Sequence, residues 1–141
     1  MRPIGQALST AMALVALAGC SDTTGVKVGD LVGTWRAVRF ETTAPNTGER
    51  TDWFAAGGLA ELTMTITEEG RVVLAAREPN EAVADTSVGT ITLNGNRVTI
   101  TGYGDALSGT LRLDSDVLTL DIPSFEFFDD IYRLVMVFRR G

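Results

Sequence analysis

The chain has 141 residues, of which 45% are hydrophobic, and this indicates one folded domain with an apolar core rather than a disordered acidic segment. It carries 12 Lys and Arg against 18 Asp and Glu, and the resulting net charge of -6 disfavours nucleic acid as a partner. It has no histidine and one cysteine, so Ser-His-Asp and Cys-His catalysis, histidine-based metal sites and an internal disulfide are excluded.

The first segment has the features of an export signal. Met1-Arg2 gives it a positive start, and the apolar run that follows is shorter than the roughly 20 residues of a membrane span. The run ends in Leu17-Ala18-Gly19-Cys20, which resembles the lipobox of bacterial lipoproteins. The resemblance implies cleavage after residue 19 and acylation of Cys20, for example by palmitate, which anchors the chain to a membrane. An ordinary signal peptide with an unrelated cysteine is the alternative.

The residues after Cys20 bear on location and domain organisation. Ser21, rather than Asp, follows the cysteine, and by resemblance to enterobacterial sorting this predicts a cell-envelope protein on the outer membrane, facing the periplasm. Residues 20–29 are small and polar, which predicts a lipidated N-terminus and a flexible tether. We therefore expect a signal peptide over 1–19, a tether over 20–29 and a folded domain over 30–141.

From Thr34 onward, short runs of alternating apolar and polar residues are separated by turn residues, a pattern typical of antiparallel strands with one buried face. We predict eight strands, over 34–43, 59–67, 71–77, 86–93, 97–103, 107–114, 117–122 and 131–139. Short and long links alternate between them, so short links gather at a closed end and long links at an open end. This predicts an all-β fold, an eight-stranded antiparallel up-and-down β-barrel.

Both ends of the predicted barrel carry a family pattern. Gly33-Thr34-Trp35 resembles the G-x-W signature of lipocalins, fatty-acid-binding proteins and small bacterial lipocalin-like domains. The resemblance implies that Trp35 lies at the closed end, with an arginine of the last strand across its indole. Arg139 and Arg140 are both available for this role, and we assign Arg139. The T-D-Y motif of outer lipocalins is absent between the sixth and seventh strands.

Aromatic residues are concentrated in the links that we place at the open end. The link over 44–58 also has helix-capping residues, which predict a short helix acting as a lid. Arg39 shares a predicted strand face with Trp35, so it is a candidate to meet a ligand carboxylate, unless a bulge turns it outward. The candidate ligand-binding residues are Arg39, Trp53, Phe54, Tyr103, Phe125, Phe127 and Phe128.

Two functions remain open from the sequence. The barrel is either a membrane-anchored module that binds a small hydrophobic or amphipathic ligand, or an envelope interaction module with a filled interior and a protein partner. A void above about 300 Å³ favours the first. Acidic pairs such as Asp129-Asp130 lack the spacing of a calcium loop, so we expect no metal and no cofactor. An enzyme would need an inward-facing pair of carboxylates, and because no motif indicates one, we expect no catalysis.

Overall fold

A computed structural model of the protein describes residues 25–102, 106–127 and 129–141. One turn of helix, α1 (Val28–Leu31), precedes nine strands. In chain order they are β1 (Gly33–Thr43), β2 (Arg50–Asp52), β3 (Glu61–Ile66), β4 (Arg71–Arg77), β5 (Asp85–Asn94), β6 (Arg97–Thr101), β7 (Leu107–Asp114), β8 (Val117–Phe127) and β9 (Asp130–Arg140).

The sheet closes on itself. From β3 to β9 each strand pairs antiparallel with the next in the chain, and β1 pairs with both β3 and β9. Closure leaves no long edge strand exposed. The strands β1 and β3 to β9 thus form an eight-stranded up-and-down antiparallel barrel, and the predicted fold class is confirmed.

The interior of the barrel is built by simple alternation. In β3 the residues Leu62, Met64 and Ile66 are buried, while the threonines between them are only partly covered. The same period of two in the neighbouring strands gives one apolar face, which is the inner face of the closed sheet. Large buried residues on this face include Trp35, Leu118, Leu120, Ile122, Leu134, Met136 and Phe138.

Strand β8 is longer than predicted. The predicted link over 123–130 is mostly strand: Phe125 pairs with Tyr132 and Phe127 with Asp130. A β-bulge separates Ile122 from Phe125, and it takes up Pro123, which has no N–H to give to a ladder. The expectation of an aromatic loop here is wrong, because the apolar residues continue a hairpin instead.

The predicted lid helix is also absent. Strand β2, which the sequence did not indicate, pairs with the end of β1, and a turn over 53–57 follows it. Both ends of this turn are capped, since the Asp52 carboxylate accepts the backbone N–H of Phe54 at 3.1 Å and Gly57 has φ +83°. Only one turn separates the two caps, which is too short to propagate a helix.

The N-terminal residues pack on the closed end of the barrel. Val26 and Val28 are partly buried against the core, and Gly25 lies beside Gly95 in the tight β5–β6 turn. The predicted tether over 20–29 is therefore too long, because the chain is already packed from residue 25. Residues 25–141 supply all eight strands of the barrel and this core, so a chain that begins at Ser21 contains a complete folding unit.

The closed end is capped through Trp35. Its indole N–H donates to the backbone carbonyl of Leu31 at 2.8 Å, and the Arg140 guanidinium lies 4.2 Å from the ring centroid. The assignment of Arg139 is wrong: Trp35 pairs with Arg140, while Arg139 pairs with the outward-facing Arg36. Gly33 has φ +130°, and a Cβ there would lie 3.3 Å from the Arg140 guanidinium, so glycine suits this position.

Candidate ligand-binding site

A cavity of about 450 Å³ lies at the open end of the barrel. Its wall is apolar and consists of Phe40, Trp53, Leu59, Leu62 and Ala76. At its rim the β4–β5 link contributes the polar residues Glu78 and Asn80. The cavity therefore combines an apolar wall with a few polar groups at one edge, which is the usual composition of a small-molecule site.

Trp53 is held in place from three sides. Its backbone N–H donates to the carbonyl of Phe40, and its indole N–H donates to Thr42 Oγ1, both at 2.9 Å. Thr42 is 2% exposed, so this hydroxyl is a buried and fixed acceptor. A Cβ on Gly58 would lie 2.6 Å from Cε3 of the indole, so the ring packs directly over the glycine backbone. The indole is consequently fixed in one orientation in the cavity wall.

Phe40 is a wall residue that the sequence analysis missed. Strict alternation from Trp35 and Ala37 would place it outside, but the register of β1 shifts between Ala37 and Arg39 and brings Phe40 inward. Phe125 packs against it edge-on, with ring centroids 6.4 Å apart. The signal was present in the sequence, because the apolar positions change from odd numbers (Trp35, Ala37) to an even number (Phe40) along this strand.

The same bulge overturns the role predicted for Arg39. Its side chain lies on the outer surface, 48% exposed, with its Nη2 2.7 Å from a carboxylate oxygen of Glu41. The hydrogen bond to Glu41 raises the pKa of Arg39 above its usual range. Arg39 therefore does not face the cavity and cannot meet a ligand carboxylate there.

The other candidate residues are placed as follows. Trp53 lines the cavity, Phe125 packs against the cavity residue Phe40, and Phe54 is partly buried against the core. The backbone of Phe127 belongs to β8, but its side chain lies outside the described residues. Tyr103, Phe128 and Cys20, with the whole predicted signal peptide, also lie outside the described residues.

Two other features are absent from the described residues. No three acidic or cysteine side chains there are grouped so that they would hold a metal ion. No helix within that part of the chain is both long enough and apolar enough to cross a bilayer.

Comparison with known proteins finds similarity among solved structures. Neither a protein-family model nor a curated protein matches the chain. Among solved structures, the chain is similar to the crystal structure of a mutant of the fluorescent protein UnaG, with 13% sequence identity and a TM-score of 0.44. The match covers 82% of this chain and 99% of that one. At this level of similarity, what UnaG does has no bearing on the ligand of this chain.

Proposed function

We propose that this protein is a membrane-anchored module of the cell envelope that binds a small hydrophobic or amphipathic molecule at the open end of its barrel. The cavity of about 450 Å³ carries the proposal. Its volume falls within the roughly 300–1,000 Å³ of small-molecule sites. A barrel filled to its rim, as a pure protein-docking module would have, leaves no such space.

The shape of the interior limits the size of the ligand. The closed half is occupied by large side chains, among them Trp35, Phe138 and Leu118, all of which are fully buried. The cavity begins above them, at the level of Leu62 and Ala76. A ligand with one short apolar tail or a single ring system suits this depth. We propose binding alone, without chemistry on the ligand.

The proposed anchor is the acylated Cys20, at the end of the lipobox-like Leu17-Ala18-Gly19-Cys20, and the proposed location is the periplasmic face of the outer membrane. The chain reaches the barrel at Gly25, which lies at the closed end. Five residues span at most about 18 Å, so the closed end would lie near the membrane and the cavity would face away from it.

Native mass spectrometry tests the binding proposal. The lipid-free domain, starting at Ser21, is purified without detergent from the envelope of its own host. We expect a stoichiometric small-molecule adduct that is lost on denaturation. Ala76→Phe places a ring in the cavity and should abolish the adduct. Ala75→Phe, on the opposite face of β4, is the matched control and should keep it.

A bare mass for the unaltered domain, together with partner proteins that co-purify through its open end, would favour the interaction module instead. An adduct that survives Ala76→Phe would place the ligand elsewhere on the protein.

A further inference from the structure

Two of the connections at the open end carry charge of one sign. No Lys or Arg occurs over 78–85 or over 123–130. Six carboxylates occupy these stretches, namely Glu78, Glu81, Asp85, Glu126, Asp129 and Asp130. All six have their backbones in the described β4–β5 and β8–β9 connections or directly beside them. Like charges gathered around a low-dielectric opening add their fields, so the mouth has a negative potential.

The arginines of the open half do not offset this potential at the cavity. Arg39 and Arg50 both lie within 4 Å of Glu41, and Arg133 forms an ion pair with Asp121. None of these arginines lines the cavity. Each is paired with a carboxylate outside the cavity, and Arg39 and Arg50 share Glu41.

Arg77 follows the cavity residue Ala76 in the chain, and it does not line the cavity either. Its guanidinium lies 3.8 Å from a Glu61 carboxylate oxygen and donates to the Glu81 carbonyl at 3.3 Å. Glu78, in contrast, lines the cavity and forms no ion pair with the residues that the structure describes. The charge that faces a ligand is therefore the Glu78 carboxylate.

The wall of the cavity adds a second attraction for a cation. Trp53 and Phe40 present aromatic rings to the same space that Glu78 borders. The ring face of an indole attracts a cation more strongly than the ring face of any other aromatic side chain does. Proteins typically recognise quaternary ammonium groups through such aromatic rings. An anion would meet the opposite sign from both the carboxylate and the ring faces.

From this charge complementarity we infer that the cavity is selective for an amphiphile with a cationic head, of the quaternary ammonium class, and discriminates against anionic amphiphiles such as fatty acids. The inference rests on the proposed function, since it names the ligand class of the same cavity. The apolar tail packs against Leu59, Leu62 and Ala76, while the head group lies at the rim beside Glu78 and Trp53.

Three probes with the same ten-carbon tail test the inference by calorimetric titration of the domain that starts at Ser21. They are decyltrimethylammonium, decanoate and decyl maltoside, each below its micellar concentration and near neutral pH. We expect the cation to bind about tenfold more tightly than decanoate in about 10 mM NaCl. The difference between the affinities for the cation and for decanoate should narrow in about 500 mM NaCl, because salt screens the charge of the carboxylates at the mouth.

Glu78→Gln removes the charge without changing the shape of the side chain. We expect it to weaken decyltrimethylammonium binding by about threefold or more and to leave decyl maltoside binding unchanged. The matched control is Glu69→Gln, in the tight β3–β4 link at the closed end. This variant should bind decyltrimethylammonium and decyl maltoside as tightly as the unaltered domain does. Thermal unfolding of each variant confirms that the barrel is intact.

The outcomes separate the two proposals. If decanoate binds as tightly as the cation, or if Glu78→Gln has no effect on cation binding, the charge selectivity is overturned while the binding site stands. If none of the three probes binds to the folded domain, the ligand-binding function itself is overturned.

Discussion

At the scale of single residues, Arg140 connects three separate parts of the closed end. Its guanidinium covers the Trp35 ring and donates to the backbone carbonyls of Val32 and Asp30, each at 3.0 Å. It also lies 3.5 Å from an Asp116 carboxylate oxygen in the β7–β8 turn. One side chain therefore ties the last strand to the segment before β1 and to a neighbouring hairpin.

Arg140→Ala should lower the free energy of unfolding by about 2 kcal/mol, because it removes a cation–π contact and charged hydrogen bonds to two carbonyls. Urea unfolding followed by circular dichroism measures the change. Arg139→Ala is the matched control, and because this side chain is exposed on the outer face, its effect should stay within about 0.5 kcal/mol. Equal losses for the two variants would contradict the role given to Arg140.

The sequence was enough to predict Trp35 at the closed end, but not which arginine covers it. Gly33-x-Trp35 is a local pattern, and the glycine is explained by its own φ of +130°. The choice between Arg139 and Arg140 depends instead on the register between β1 and β9. A shift by one residue exchanges the two faces of a strand, and no local pattern fixes that register.

At the scale of elements, the bulges in β1 and β8 account for the places where the structure departs from simple alternation. The bulge between Ala37 and Arg39 turns Phe40 inward and Arg39 outward, and the one after Ile122 extends the β8–β9 hairpin as far as Phe127. Simple alternation predicted the eight strands because most of them are regular. It failed at both bulges, since an extra residue reverses the pattern beyond it.

The extended β8–β9 hairpin also carries an ion pair with a predicted pH dependence. The Arg133 Nε donates to Asp121 Oδ1 at 3.0 Å, and its Nη2 pairs with the other carboxylate oxygen. This hydrogen bond lowers the pKa of Asp121 below its usual 3.8. A lowered folded-state pKa means that the stabilisation is present above pH 3.8 and is lost as the pH falls through the folded-state value.

Asp121→Asn should therefore lower the free energy of unfolding by about 0.5 kcal/mol near neutral pH, a small effect because solvent screens a pair whose arginine is 58% exposed. The difference should shrink as the pH is lowered below 3.8 and the carboxylate becomes protonated. Urea unfolding midpoints of both proteins, near neutral pH and below pH 3.8, measure this difference in stability. Asp85→Asn, which removes an exposed carboxylate without an ion pair in the described structure, should show no such pH-dependent difference. An undiminished Asp121→Asn effect at low pH would point to packing rather than charge.

At the scale of the whole molecule, the two ends of the barrel differ in charge. The closed end mixes signs, with Lys27, Arg97 and Arg140 near Asp30 and Asp116. At the open end, the stretches 78–85 and 123–130 carry six carboxylates and no Lys or Arg. An anionic membrane surface would repel the open end more strongly, and the proposed anchor at Cys20 precedes the closed end. Charge and tether thus favour the same orientation, with the cavity pointing away from the membrane.

Quenching by brominated phospholipids tests this orientation in vesicles that carry the acylated protein. Asn96→Trp places an indole in the tight β5–β6 turn at the closed end, and Asn46→Trp places one in an exposed turn of the link between β1 and β2 at the open end. We expect the bromines to quench the first added indole and to leave the second unaffected, relative to the protein that has only Trp35 and Trp53.

Cys20→Ser supplies the control for the anchor. Without the acylated thiol the protein should stay in solution, and quenching should disappear from both tryptophan variants. Stronger quenching of Asn46→Trp than of Asn96→Trp would reverse the orientation and bring the cavity against the bilayer. A ligand would then enter directly from the lipid phase, and the carboxylates at the mouth would have to approach the head groups, which an anionic surface opposes.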